Sequence, residues 1–163
     1  MNTKQVVHEY LISKYRGIKQ RMLSAIGQLT DEDINWRPNE ESNSIANVVV
    51  HIAGNIHQRI EAGFLGHPDR RDRDREFETA IALLKDELIS IIEASFAIVE
   101  DTLLKTSDED FFRTQTLRGK QVTLLEIMLE GDAHFSEHLG QILYIAKLRL
   151  NEDYISTSIP RKK

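Results

Sequence analysis

From Thr123 to Leu150 the chain contains no proline and keeps a helical period throughout. Thr123 opens a Thr-x-x-Glu pattern with Glu126, the mark of a capping box at a helix start. Apolar residues then recur at Leu125, Leu129, Leu139, Ile142, Leu143 and Ala146, the spacing of a helix with one face on a core. Three other stretches carry the same period. A first helix is expected from Thr3 to Leu29, with Val7, Leu11, Tyr15, Ile18, Met22 and Ile26 along its inner stripe. Leu29 to Asp33 reads as a stop and a short turn, and Trp36-Arg37-Pro38 then crosses to the next helix, with Trp36 as a lid over the bundle end. Ser44 is a good N-cap for a second helix. Val48-Val49-Val50 would also suit a strand, but helical spacing continues through Ile56, Ile60 and Phe64. A third helix is expected from Glu76 to Leu104, with Phe77, Ile81, Leu84, Leu88, Ile91, Ser95, Ile98 and Val99 as its seam. Thr114 to Lys120 alternates enough for a short extended piece ending in a turn. The pattern predicts an all-α four-helix bundle.

A chain of 163 residues is long enough for one substantial core and too short for two ordinary domains, so residues 1–163 are read as one. Three prolines and eight glycines favour long helices over an all-β design. The connection from Gly66 to Arg75 fits either a hairpin or a crossover, because ten extended residues span about 33 Å, the length of a helix of about 22 residues. A net charge of −5 supplies no electrostatic footprint for nucleic acid. The absence of cysteine excludes a disulfide, a zinc–thiolate site and a cysteine nucleophile. The N-terminus leads into an amphipathic helix without a signal-peptide core, and no run approaches the roughly 20 apolar residues of a membrane span. A cytoplasmic protein without membrane contact is expected.

His134 and His138 stand four residues apart, which puts two imidazoles on one helix face within reach of a shared ion. Phe135 follows the first of them where a zincin has glutamate, so the metalloprotease pattern is absent. His51 lies among apolar neighbours near the middle of the second helix, where an imidazole needs a partner: a metal shared with His134 and His138, a backbone carbonyl or a buried water. His57 should point away from His51, His67 should lie in a surface loop, and His8 at the edge of the first helix.

Asn43-Ser44-Ile45-Ala46 leading to His51, followed by His134-x-x-x-His138-x-Gly140-Gln141, resembles the DinB-like superfamily, whose members include bacillithiol- and mycothiol-dependent transferases. The resemblance extends over essentially the whole chain. It implies that His51, His134 and His138 bind a divalent metal inside a four-helix bundle, that the second and third helices are joined by a crossover, and that the protein pairs as a homodimer. Many relatives carry Arg-Gly-Gln after the last histidine; here Leu139 stands in place of that arginine. Ile127, Met128, Phe135, Tyr144, Ile145 and Leu148, beyond the expected core stripe of the fourth helix, offer a surface for such a dimer or mark a fully central helix.

Three neutral imidazoles leave a metal divalent with room for water or substrate, as in catalytic sites. Zn²⁺ or Ni²⁺ suits imidazole, with Fe²⁺ or Mn²⁺ as further candidates. Such an ion lowers the pKa of a bound water or thiol towards neutrality, so a small-molecule thiol could provide the nucleophile this cysteine-free chain lacks. The alternatives are a non-enzymatic binding or structural module and a metal-dependent hydrolase with Glu130 as acid or base. Asn55 shares the His51 face and could bond a bound water or substrate, Glu130 could orient an imidazole, and Gln141 could do either; each could equally serve as a helix-to-helix hydrogen bond. The alternating run from Arg70 to Glu76 reads as a solvated loop entering a helix, or as the source of an arginine folded over the pocket to take an anionic group.

Overall fold

The structure, a computed structural model, describes residues 3–117 and 119–159. Helix α1 (Thr3–Ile26) is followed by a short α2 (Asp31–Asn35). Helix α3 (Ile45–Ile56) continues directly into a wider π-helical stretch, His57–Phe64. Helix α4 (Lys85–Lys105), a hairpin of β1 (Thr114–Leu117) and β2 (Lys120–Thr123), and α5 (Leu124–Leu150) complete the fold. Side chains fix the starts. Ser44 with Asn47 and Thr123 with Glu126 form the reciprocal bonds of a capping box, and Thr30 with Asp33 does the same for α2, a short helix where a turn is expected.

Contacts at the helix ends set the directions. The Lys85 amide donates to Asp31 Oδ1 at 2.7 Å, and Asn47 Nδ2 donates to the Glu76 and Glu78 carbonyls at 2.9 and 3.0 Å. Helix α4 therefore begins beside the start of α3. It ends beside the start of α1, where His8 Nε2 bonds the Leu103 carbonyl. Tyr15 donates to the Met128 carbonyl and Gln28 to that of Ile155, so α5 runs parallel to α1. Against α3 it runs antiparallel: His51 meets His134 and Arg59 meets Glu130. The order is up-down-down-up, with a crossover through residues 65–84 and not a hairpin.

That crossover is longer than expected because α4 begins at Lys85, not Glu76. Residues Asp74–Phe77 form a 3₁₀ turn whose Glu76 carboxylate is drawn into the bundle, and Glu87 accepts from the Leu84 amide to start the helix. Phe77 and Ile81 are half-buried outside any long helix, and Leu84 is exposed. From Leu88 onward the seam holds, with Ile92 and Phe96 fully buried between its expected members.

The four long helices close around one apolar cluster that includes Leu11, Tyr15, Met22 and Ile26 of α1 and Val48, Ile52 and Ile56 of α3. The expected α5 stripe holds at Leu139, Ile142 and Ala146, with Leu125 and Leu143 packed against the core, but the buried face is broader than expected, as in a fully central helix. Ile127, Met128, Phe135 and Ile145 lie in the core, whereas Leu129 is 46 % exposed. Aromatic packing widens the face: Phe135 sits edge-on to both Tyr15 and Phe96 with ring centroids 6.0 Å apart in each case. Of the residues offered as a dimer surface, only Tyr144 and Leu148 remain exposed. At the bundle end Trp36 packs against the core beneath the Arg149 guanidinium, 5.2 Å from its ring, as a lid.

The hairpin pairs Thr114 with Thr123 and Leu117 with Lys120, and Gly119 takes the positive φ of its turn; Arg118, between them, lies outside the described residues. It buttresses the π-helical stretch, since Gln115 Nε2 donates to the Arg59 carbonyl at 3.0 Å over Gly63, and Arg113 stacks on Phe64. Among the described residues no helix is long and apolar enough to cross a membrane.

Gly131 is buried where a Cβ would collide with the Tyr15 hydroxyl. Gly131→Ala is therefore expected to displace the buried Tyr15–Met128 hydrogen bond and cost about 1–3 kcal/mol despite the better helix propensity of alanine. Urea unfolding of the two proteins measures the difference.

Candidate metal centre

His51 projects from the middle of α3, and His134 and His138 from successive turns of α5. Because the two helices run antiparallel, all three imidazoles enter one space at their seam, where ligand nitrogens of the three lie within 4.8 Å of one another. His134 Nε2 is 2.8 Å from His138 Nε2 and 3.3 Å from His51 Nε2. An ion bound by imidazoles at about 2.0–2.1 Å holds neighbouring nitrogens roughly 2.8–3.4 Å apart, depending on geometry. The two spacings from His134 are those of neighbouring ligands on one coordination polyhedron. The residues could hold a metal ion.

The opposite edges of two rings are tied down. His51 Nδ1 donates to Glu76 Oε2 at 2.8 Å, and His138 Nδ1 donates to Gln141 Oε1 at 2.8 Å. Each bond fixes the tautomer that leaves Nε2 unprotonated and aimed inward. Burial pushes the His134 pKa down to about 4, helped by the neighbouring His138, His51, Arg59 and Arg71. Burial also lowers that of His51, against the opposing pull of Glu76. Both rings are neutral at physiological pH, the form a metal requires.

Glu76 is held in turn by Arg71, which donates from Nε to Oε1 at 2.7 Å and from Nη2 to Oε2 at 2.9 Å; both side chains are almost fully buried. Gly54 makes this approach feasible, since a Cβ there would fall on the Glu76 carboxylate. Phe77 covers His51 with ring centroids 5.0 Å apart. The charged run from Arg70 to Glu76 therefore does fold over the pocket, with its buried Arg71 paired to Glu76. Within the run from Arg70 to Glu76 the sequence did not single out Arg71 or Glu76, and it gave no sign of the role of Gly54. Placing Glu76 in a helix hid its role, and only its position after an arginine-rich turn hinted at it.

The remaining candidates separate. Gln141 orients His138. The Glu130 carboxylate is largely exposed and pairs with Arg59 at 2.7 Å, away from the imidazole-orienting position expected of it. Asn55 is buried on the His51 side of α3. His57 faces elsewhere, donating to Glu61 and accepting from the Arg70 amide, while His67 is exposed in its loop and His8 is bound at the edge of α1.

A family model described as "protein of unknown function (DUF1572)" matches residues 3–163. The chain belongs to the DUF1572 family. No curated protein matches it. A similar solved structure is described as "crystal structure of the conserved protein of locus from Enterococcus faecalis"; it shares 18 % identity with a TM-score of 0.69, covering 93 % of this chain and 99 % of that one. That likeness concerns the fold, so what this DUF1572 chain does must be read from its own side chains.

Two outcomes follow from this geometry. Glu76→Gln, which keeps the shape and loses the charge, is expected to weaken zinc binding about 10- to 100-fold by competition titration with a chelator, and Gly54→Ala to do the same by displacing the carboxylate. Without metal, the lowered histidine pKa values mean that the unfolded chain takes up protons the fold refuses. Stability should then fall as pH drops below about 6.5 and this contribution should level off near 4. Denaturant midpoints of the metal-free protein at pH 7.5 and 5 test this, and His134→Gln should reduce the difference.

Proposed function

We propose that this protein is a DinB-like, divalent-metal-binding bundle that acts as a transferase on a small-molecule thiol. The observation that carries the metal is the convergence of three Nε2 atoms at 2.8 and 3.3 Å with two of the rings held from behind by Glu76 and Gln141. Zn²⁺ or Ni²⁺ suits this all-imidazole set best, with Fe²⁺ or Mn²⁺ as alternatives. When bound, such an ion supplies a Lewis acid that lowers the pKa of a thiol or water to near neutrality.

The chain's own residues do the rest. His51, His134 and His138 furnish a neutral donor set, so the charge of a divalent ion stays uncompensated and favours an anionic incoming ligand. His134 and His138 are only half-buried, which supports an accessible site over a sealed structural one. Glu76 and Arg71 neutralise each other and fix the His51 ring. With no cysteine in the chain, a thiol nucleophile must come from a cosubstrate. The hydrolytic alternative is weaker, because its expected acid or base, Glu130, is engaged by Arg59. A homodimer belongs to this reading through the DinB-like resemblance, and exposed Leu129, Tyr144 and Leu148 on α5 are available for it. Light scattering should return about twice the chain mass of 18.8 kDa.

The test is metal analysis followed by thiol titration. Purified protein should carry one divalent ion per chain, and His51→Ala, His134→Ala or His138→Ala should lose it while keeping helical circular dichroism. In the cobalt form, a small thiol should bring in a sulfur-to-metal absorption band. Metal-free protein that refuses added ions would end the metal reading; a cobalt spectrum indifferent to thiols would end the transferase.

A further inference from the structure

Helix α3 carries four buried polar side chains in or at the start of its regular part: Ser44, Asn47, His51 and Asn55. Three are fully accounted for. Ser44 and Asn47 cap the helix and each other, Asn47 also reaches the crossover carbonyls, and His51 is held by Glu76. Asn55 is different. It is 6 % exposed, and among the described residues no hydrogen bond reaches its carboxamide. Its amide atoms are not among the fully enclosed polar atoms, so they meet water at the seam and are open to a ligand that arrives there.

Its position says what it faces. Residues 51, 55 and 59 are spaced four apart and form one stripe of the helix. The residue before it in that stripe, His51, meets His134 of α5, and the residue after it, Arg59, meets Glu130 at 2.7 Å. Asn55 lies between these two contacts, so its carboxamide stands at the α3–α5 seam, one turn from His51 and beside the level of His134. We propose that Asn55 is a positioning residue for the exogenous ligand of the histidine triad: its amide bonds a polar group carried next to the atom that binds the ion. The ligand class is a small molecule with a metal-seeking donor and, a bond or two away, a hydroxyl, amide or carboxylate. This rests on the metal reading above.

The experiment compares wild-type protein with Asn55→Leu, which keeps the size and removes the hydrogen bonds. In the cobalt forms, the dissociation constants of 2-mercaptoethanol and ethanethiol are measured by absorption titration; the two thiols differ by one hydroxyl. Wild-type protein should prefer 2-mercaptoethanol by about 5- to 10-fold, the worth of one hydrogen bond, and Asn55→Leu should bind both alike. The metal-free variant should melt at or above the wild-type temperature, since no native bond is removed. Equal binding of the two thiols by wild type, or a preference that survives in the variant, overturns the proposal while leaving the metal site intact. A variant that melts several degrees lower, or fails to fold, shows that the amide is structural and overturns it too. A wild-type protein that takes up no cobalt refutes the metal reading itself, and the role of Asn55 with it.

Discussion

The buried Arg71–Glu76–His51 chain joins the crossover to the bundle, and most of the site depends on it. A carboxylate almost fully removed from water is costly unless it is paired and hydrogen-bonded. Here Arg71 supplies the charge and two bonds, and His51 supplies a third. The whole arrangement is possible only because Gly54 leaves α3 bare at that level. The crossover from 65 to 84 is consequently a working part of the centre, and its loss of helix around Glu76 has a physical cause. A glutamate at the first turn of a helix would face solvent. A glutamate in a short 3₁₀ turn can reach inward.

The helix directions complete the arrangement. A hairpin between α3 and α4 would have left no long strap to lie over the seam. The crossover gives α3 two different neighbours: α4, running the same way, and α5, running against it. The antiparallel contact lets one turn of α3 oppose two turns of α5, so a single histidine can meet a His-x-x-x-His pair. The π-helical stretch, buttressed by Gln115 of the hairpin and by Arg113 just before it, then carries Arg59 to Glu130 and closes the seam about two turns beyond His51.

The sequence made much of this legible. The helix starts at Ser44 and Thr123 were plain because side-chain capping is local chemistry, visible within four residues. An imidazole within an apolar run demands a partner, but only the family resemblance favoured the α5 pair over a backbone carbonyl or a buried water for His51. What was hidden was decided at long range. The Glu76 carboxylate overrides the helical pattern that begins with Phe77, and nothing near it in sequence announces its destination. On α5 the expected stripe holds except at Leu129, and the wider face was hidden for a similar reason. Leu129 and Ile127 are equally apolar, and only Gly131 and the Tyr15–Phe96–Phe135 ring cluster determine which of them turns inward. The close approach of Gln115 to Gly63 is likewise a contact between segments distant in sequence.

The central claim is that three imidazoles, one from α3 and two from α5, share one ion. X-ray absorption at the metal edge of the zinc- or nickel-loaded protein addresses it directly. The account predicts three imidazole nitrogens at about 2.0–2.1 Å, recognised by ring multiple scattering, with lighter exogenous atoms completing the shell. His51→Ala should reduce the imidazole count by one, or abolish binding altogether. A shell of oxygen ligands with fewer than two imidazoles, or one unchanged by that substitution, would contradict the account.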